Sequence, residues 1–390
     1  MLNRARSGRK GLTAARRWRA ALLVPAAALL LAACASDAPL DTLDPKGPES
    51  RTIQDLVGPV FLIAGIVFVL VQGGVLFVAW KFRKRKDDDG SLPGQLHGNT
   101  KLEIGWTVLP ALVLVGVGIA SVLTLLDLED KPADAMEVTV VGQQWWWEYR
   151  YDVDHDGTDD IVTANDLVIP AGTPVSLKIQ SRDVIHSFWI PALNGKRDAV
   201  PGREHSLLLQ ADQPGTFRGQ CTEFCGLSHA YMRMRVVALP TADFEAWQTN
   251  QMKGAEVPDG EQAKAGMERF RSTCSACHLI RGDGGNEALR KKEGIEGAAL
   301  VSGAAPNLTH FASRGAFAGA IFDLWDDTND NGEVDIDEIG GVFNVADLKA
   351  WLHDPPGQKP MAPGQSRGMP NLELTDQAID ELVAYLETLE

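Results

Sequence analysis

Cysteine is scarce in this chain: five residues in 390, at positions 34, 221, 225, 274 and 277. Each belongs to a local pattern treated below, so none is left for a disulfide framework. Histidine is thin as well, with eight residues scattered along the chain, too few for a histidine-rich catalytic metal cluster. Positive charge is in deficit, 37 Lys and Arg against 52 Asp and Glu, a net charge of −15. Residues 1–33 hold seven of the cations and no acid, so the remainder carries −22. Such a surface excludes nucleic acid as a partner. It suits solubility outside the cell, or the steering of a basic protein. At this length the chain has room for two or three domains with cores of their own.

Two runs contain no charged side chain, Leu56–Trp80 (25 residues) and Ile104–Leu126 (23 residues). Each is long enough to cross about 30 Å of hydrocarbon as a helix, although buried globular helices read similarly. Between them Lys-Phe-Arg-Lys-Arg-Lys, residues 81–86, marks a turn that the positive-inside rule keeps in the cytoplasm. At the amino end a basic leader, Arg4 to Arg19, precedes a shorter apolar stretch, 20–33, with the shape of a secretory signal. It closes on Leu31-Ala32-Ala33-Cys34, which resembles a bacterial lipobox. Cleavage there leaves Cys34 as a lipidated first residue; an uncleaved signal leaves it incidental. The expected order is a lipoprotein signal at 1–33, an external segment at 34–55 and a transmembrane hairpin at 56–127, with all that follows outside.

Short β-branched runs broken by Pro and Gly then appear: Val138–Val141, Leu167–Pro170, Val175–Ile179, Ser206–Gln210 and Arg233–Ala238. They predict an antiparallel β-sandwich over 135–240. Asp243–Pro258 is polar, and 241–260 reads as a linker. Helical patterns follow at Glu261–Arg271, Asp347–His353 and Thr375–Leu389, so 261–390 reads as all-α. The fold class is thus a multi-domain membrane protein: a two-helix hairpin, an antiparallel sandwich and a helical domain.

The densest chemistry lies in Cys221-Thr-Glu-Phe-Cys225-Gly-Leu-Ser-His229-Ala-Tyr-Met232. Two thiolates, an imidazole and a thioether are soft or borderline ligands that suit copper rather than magnesium or calcium. Thiolates four residues apart on one loop can bridge a pair of ions, with His229 capping one and Met232 weakly axial. His186 lies where a folded-back sandwich supplies the second imidazole. A Cys221–Cys225 disulfide with bystander His and Met is the plain alternative. Further on, Cys274-Ser-Ala-Cys277-His278 is the haem c attachment pattern, two thioether-forming thiols and an adjacent proximal His. A zinc or redox C-x-x-C is its alternative. The distal ligand is expected to be a thioether, from Met361 or Met369.

With His and Met spaced as they are, residues 221–232 resemble the binuclear copper loop of cytochrome c oxidase subunit II, and the likeness covers roughly 50–240. Residues 261–390 look like a class I cytochrome c. The resemblance implies a cupredoxin-like sandwich holding two copper ions through His186, Cys221, Cys225, His229 and Met232. It implies that the Glu223 carbonyl completes the copper shell, while the Glu223 carboxylate ligates magnesium at the boundary with the large subunit. Trp145, in the aromatic run Gln144–Tyr149, matches the residue that receives electrons, although such runs also build cores. Asp183 docks a cationic partner or buttresses His186. Glu103 matches a carboxylate at the mouth of a proton path, and it also favours its own helix dipole. Pro306 matches the proline whose carbonyl orients the proximal imidazole, and Met369 matches the axial position.

The implied function is that of subunit II of a haem-copper terminal oxidase. Electrons pass from the fused haem c to the copper pair and on to the haem of subunit I, where oxygen is reduced to water and protons are pumped. Partners are subunits I and III and, as donor, a quinol–cytochrome c reductase or another cytochrome. The location is the plasma membrane of a bacterium, multi-pass, with the soluble domains on the periplasmic face. A stand-alone membrane-anchored copper and haem carrier is the rival. Nitrous oxide reductase would need more histidines, and quinol oxidase subunits lack the copper ligands. The tether raises the donor's effective concentration, so tight docking of the two domains is not required.

One insertion, near 316–345, departs from the compact cytochrome pattern. Within it Asp327-Thr-Asn-Asp-Asn-Gly-Glu-Val-Asp-Ile-Asp-Glu338 fits the calcium-loop pattern. Asp327, Asn329, Asn331, Asp335 and Glu338 offer side-chain oxygens and Glu333 a carbonyl; a solvated acidic loop is the alternative. Asp152-Val-Asp-His-Asp-Gly157 lacks the closing glutamate and predicts a turn.

Overall fold

The computed structural model describes residues 39–84, 94, 98–282, 305–329, 334–361 and 367–390. The leader with Cys34, Arg85 and Lys86 of the basic turn, and Asn331, Gly332 and Glu333 of the acidic loop lie outside the described residues.

Two helices, α1 (Pro48–Lys81) and α2 (Thr100–Glu129), are long and apolar enough to cross a membrane. Both outrun the uncharged segments, because polar residues at their ends cap rather than interrupt them. Pro48 opens α1, where its missing N–H is no loss. Asn99 Oδ1 accepts from the Lys101 and Leu102 amides at 3.2 and 3.3 Å, and Glu103 Oε1 accepts from the Asn99 amide at 3.2 Å. Glu103 therefore closes the first turn of its own helix. The start of α1 is seated on the next domain. The Ser50 amide donates to Leu193 O at 3.1 Å, Ser50 Oγ donates to Ala192 O at 2.8 Å, and Arg51 pairs with Asp212.

The sandwich uses strands β1 (Met136–Gln143), β2 (Trp146–Tyr151), β3 (Ile161–Ala164), β4 (Asp166–Pro170), β5 (Val175–Ser181), β6 (His186–Trp189), β7 (Lys196–Ala199), β8 (His205–Leu209), β9 (Gly215–Gln220) and β10 (Arg233–Leu239). One sheet has the order β3-β2-β1-β5-β8 and faces a second, β4-β10-β9, while β6 and β7 form a hairpin. Not every pair is antiparallel: β1 with β5, and β4 with β10, run parallel. Long crossovers between the sheets bring these strands back in the same direction. Trp147, Tyr149, Tyr151 and Phe188 are fully enclosed between the layers. Each buries roughly 150–250 Å², about 4–6 kcal/mol by area. Tyr151 keeps its hydroxyl satisfied by donating to Val168 O at 2.9 Å.

The segment read as a linker is instead largely the helix α3 (Thr241–Gln251), followed by extended chain. Two aromatics anchor its apolar side, Phe244 and Trp247, three residues apart and so on one face, and Gln251 Nε2 donates to Ser313 Oγ at 2.9 Å. Their rings stack at 5.6 Å, and Trp247 meets Tyr151 edge-on at 5.3 Å. A window dominated by Asn, Gln, Asp and Glu hides such a narrow anchor.

The carboxyl-terminal domain crosses α4 (Glu261–Arg269) with α7 (Asp376–Leu386). Arg269 Nε and Nη2 donate to Glu381 Oε2 at 2.9 and 2.6 Å, and Phe270 meets Tyr385 edge-on at 5.9 Å. Between them lie α5 (Val345–His353), α6 (Pro355–Gln358) and a two-residue ribbon, β11 (Ala316–Phe317) with β12 (Phe322–Asp323). His310 is structural here: its ring faces Glu390 O at 2.6 Å and Lys253 O at 3.1 Å. Of the insertion's described residues, Trp325 and Val334 are buried in the domain core.

Candidate metal and haem sites

Cys221 follows β9 and Met232 precedes β10, so the antiparallel β9–β10 pair fixes both ends of the chemically dense loop. The Cys221 amide donates to Met232 O at 2.9 Å and the Thr222 amide to Ser187 O at 3.1 Å, which brings β6 and its first residue, His186, alongside. His186, Cys221 and Cys225 converge in the interior, all buried. The two sulfurs stand 3.9 Å apart, far beyond a bonded pair, and all four cysteines among the described residues are free thiols. Each sulfur has its own imidazole: His186 Nδ1 is 4.0 Å from Cys221 Sγ, and His229 Nδ1 is 3.5 Å from Cys225 Sγ. Each also has one weak donor, Met232 Sδ at 3.8 Å from Cys225 and Glu223 O at 3.3 Å from Cys221. This near-symmetric set of two thiolates, two imidazoles, a thioether and a carbonyl fits a pair of soft ions.

The electrostatics prepare the donors. Cys221 is held below the ordinary thiol range, chiefly by the hydrogen bond from Cys225, with burial opposing and His186 adding to the lowering. Cys225 is pushed up by Cys221 and by burial, so without metal the pair shares one proton. Asp183 faces His186 Nε2 at 2.8 Å and accepts from the Gln144 and Val184 amides, both at 2.8 Å. Burial pushes the Asp183 carboxyl up, but these hydrogen bonds outweigh it and hold it below the usual range. With Nε2–H committed to Asp183, the lone pair of His186 is on Nδ1, towards Cys221. Of the two sequence readings of Asp183, the geometry favours the buttress: its side chain is 6 % exposed.

Trp145 is buried, not presented at the surface. Its Nε1 donates to Cys225 O at 3.0 Å, and Gln144 Nε2 donates to the same oxygen at 2.7 Å. The helical domain roofs it: Lys359 Nζ donates to Trp145 O at 2.6 Å and to Ala318 O at 2.8 Å, and Ser228 Oγ donates to Pro360 O. Gln144, Ser228 and Lys359 were not foreseen from sequence. Gln144 sits beside a flagged tryptophan, but nothing local to Lys359 hints at a partner 214 residues away.

In the helical domain the chain leaves α4 through a wider turn, Phe270–Cys274, into Cys277 and His278. His278 Nδ1 lies 2.9 Å from Pro306 O, which fixes Nδ1 as the protonated nitrogen and leaves Nε2 for iron. Burial lowers the pKa of this imidazole despite that bond. Met369, like Cys274 and Leu308, packs against this domain's core, whereas Met361 packs against the core of the sandwich. Two thiols, a fixed imidazole and a thioether in one domain are a set that fits haem c.

The acidic loop closes on Glu338. Its Oε1 accepts from the Thr328 and Asn329 amides at 2.7 and 3.1 Å, its Oε2 from the Asp335 amide at 3.0 Å, and Asn329 Nδ2 donates to Asp335 Oδ2 at 3.2 Å. The 152–157 segment is the expected turn, with Asp152 accepting from the Asp156 and Gly157 amides at 3.1 and 3.0 Å.

An apolar hairpin, a sandwich with a paired-thiolate cluster and a haem-attachment domain together define a membrane-anchored copper and haem protein. Three family models match it: the transmembrane domain of cytochrome c oxidase subunit II over 38–124, the periplasmic domain of that subunit over 136–239, and cytochrome c over 263–390. Among curated relatives, cytochrome c oxidase subunit 2 of Alkalihalophilus pseudofirmus is 31 % identical over 369 residues, covering 93 % of this chain and 94 % of that one. The same subunit of Bacillus sp. PS3 is 33 % identical over 388 residues, covering 95 % and 97 %. Quinol oxidase subunit 2 of Bacillus subtilis is 36 % identical over 214 residues, covering 53 % of this chain and 64 % of its own. Of solved structures, the periplasmic domain of subunit II of cytochrome oxidase from Bradyrhizobium japonicum is 29 % identical, covers 31 % of this chain and 95 % of its own, and gives a TM-score of 0.29. The chain belongs to the cytochrome c oxidase subunit II family, in the form that carries a fused cytochrome c domain.

Proposed function

We propose that this chain relays electrons within a haem-copper terminal oxidase, from its own haem c to its copper pair and on to subunit I, where oxygen is reduced and protons are pumped. The observation that carries the reading is the convergence of two unbonded thiols, each matched to one imidazole and one weak donor. His186, Cys221, Glu223 O, Cys225, His229 and Met232 would hold two copper ions, and Cys274, Cys277, His278 and Met369 the haem. When bound, both groups supply one-electron redox chemistry. The residues supply rigidity: Asp183 locks the His186 ring, Pro306 locks His278, and the β9–β10 ends fix the thiolate loop. The same side chains therefore present the same geometry to either oxidation state. No donor in the cluster is positioned for substrate, so the site relays rather than catalyses.

Finer parts of the reading follow the family's pattern. The Glu223 carboxylate would hold magnesium against subunit I, with subunit III in the same assembly. The chain would lie in a bacterial plasma membrane as a lipoprotein bearing lipid on Cys34, its soluble domains periplasmic and Glu103 at a proton-path mouth. A cytochrome or a quinol–cytochrome c reductase would feed the haem. Detergent extraction of the full chain, followed by optical and paramagnetic spectroscopy, tests the whole. The expected result is one low-spin haem c, a mixed-valence copper signal split by two equivalent nuclei, and a co-purifying multispanning haem subunit. Both spectra without that subunit would support the stand-alone carrier instead. Absence of the copper signal would end the reading.

Calcium in the acidic loop is a separate proposal, with Asp327, Asn329, Asn331, Glu333, Asp335 and Glu338 as ligands. Glu338 must first give up its backbone partners, so affinity is expected in the weak range of extracellular modules, about 10⁻⁴–10⁻³ M. Titration calorimetry of the full chain at millimolar calcium reads it directly. A flat trace, or heat unchanged in Glu338→Gln, removes the ion.

A further inference from the structure

Lys359 follows α6 of the helical domain, yet its side chain ends against the sandwich. It is half-buried as a residue, and the ammonium is its enclosed end. Nζ donates to Trp145 O at 2.6 Å and to Ala318 O at 2.8 Å. The turn of the β11–β12 ribbon builds this cradle, with Ala318, Gly319 and Ala320 all at positive φ, 54°, 80° and 55°. Both alanines take that left-handed conformation at a cost. Gly319 has to be bare: a methyl there would stand 2.9 Å from Trp145 O and 3.0 Å from Tyr231 O, and would overrun Nζ itself. Gly319 O accepts from the Arg233 amide at 3.0 Å, which ties the turn to the start of β10, next to Met232. Enclosed cations are ordinarily paired, but among the described residues no carboxylate pairs with this one. Burial lowers it to about 7, and a thiolate at Cys225 opposes that lowering.

We infer that the Lys359 ammonium, delivered by the helical domain, is an electrostatic partner of the copper pair that raises its affinity for an electron. The inference rests on the functional reading above and deepens it. A thiol that binds metal is a thiolate, so Cys225 faces the ammonium as an anion. Such coupling is reciprocal: what negative charge at Cys225 does for the ammonium, the ammonium does for negative charge added there. One electron leaves the haem, which is oxidised, and the copper pair takes it up and is reduced. The added charge then lies beside a cation, and the attraction favours the reduced pair. At an effective dielectric of about 20, unit charges at two to three times contact distance still shift an equilibrium about tenfold. The cation belongs to the domain that carries the donor. The bias toward copper therefore exists only while the two domains are seated together.

The test is a redox titration of the full chain in its detergent-extracted complex at pH 6, where the ammonium is charged, with haem and copper bands followed together. Lys359→Gln keeps a donor for the two carbonyls and removes the charge. Its haem-to-copper equilibrium constant is expected to fall about tenfold, a copper midpoint lower by about 59 mV, with both spectra unchanged. Lys359→Arg, which restores the cation, is expected to stay within about twofold of the parent. A constant within about twofold of the parent in Lys359→Gln, or a haem midpoint displaced as far as the copper one, would overturn the inference. Should Lys359→Gln lose its copper spectrum, Gly319→Ala decides, because its methyl displaces Nζ and leaves Lys359 in place. A lowered copper midpoint there supports the partnership, and an unmoved one rejects it. If the unaltered chain itself lacks either spectrum, the functional reading has failed and this inference falls with it.

Discussion

Cys221→Ser is expected to abolish the mixed-valence copper signal while the haem spectrum stays as it was. The hydrogen bond from Cys225 holds the Cys221 thiol below its ordinary range, which favours the anion that a soft metal wants. A serine hydroxyl in the same place is a hard, protonated oxygen. With Cys221 and Cys225 only 3.9 Å apart, each sulfur can serve two ions, so losing one removes a ligand from both. Loss of an outer partner alone costs about 10–100-fold in affinity, and loss of a shared ligand is expected to exceed that. Metal content by elemental analysis and paramagnetic resonance provide the check. A variant that keeps two coppers and a shared electron would show that the thiolates are not the bridges. The haem serves as the internal control, because Cys274 packs on another core and Cys277 and His278 follow it in the same turn.

The second large effect is expected at Arg235. Its Nε and Nη2 donate to Asp166 Oδ1 and Oδ2, both at 3.0 Å, and its Nη1 donates to Asp323 Oδ1 of the helical domain at 3.1 Å. Asp166 also accepts from the Gly315 amide at 2.7 Å. The Arg235 and Asp166 side chains are 3 % and 4 % exposed, so Arg235→Met leaves a carboxylate enclosed without its cation. Breaking such a pair costs about 3–5 kcal/mol, read as a lower unfolding midpoint and as earlier proteolysis between the domains. The pH dependence has a definite sign. Burial pushes the Asp323 carboxyl up, and Arg235 is the largest influence holding it down. Without Arg235 the carboxyl moves further up, and the native state binds protons more readily than the unfolded one. Stability then falls as pH rises through that window. The deficit of the variant should be larger at pH 8 than at pH 5. An equal deficit at both, or none, would show that the joint is not electrostatic.

These contacts replace the loose tether expected from effective concentration alone. Arg235, Asp166, Gly315, Lys359 and Trp145 build a packed seam between the sandwich and the helical domain. Sequence patterns reached each half separately. The thiolate loop, the C-x-x-C-H and the uncharged runs are local in the chain, and each is dictated by chemistry that works only at those spacings. What joins the halves is not local. Asp166 meets Gly315 across 149 residues and Lys359 meets Trp145 across 214, with no periodicity or motif to announce either. The helix at 241–251 was hidden for a related reason: two aromatics among polar residues suffice once Tyr151 and Val168 offer them a surface. Parallel pairing of β1 with β5 was equally out of reach, because strand patterns show which residues face inward, not which neighbour a strand takes.

The seating of Ser50 on Leu193 and Ala192 also sets an altitude. From Ser50 to Leu56, where the uncharged run begins, are six helical steps, about 9 Å. With the hydrocarbon beginning where the uncharged run begins, the sandwich is expected to ride within two turns of the lipid headgroups, on a stiff post instead of a hinge. Any tilt that a thicker or thinner bilayer imposes on that post is passed to the metal cluster as a rigid rotation.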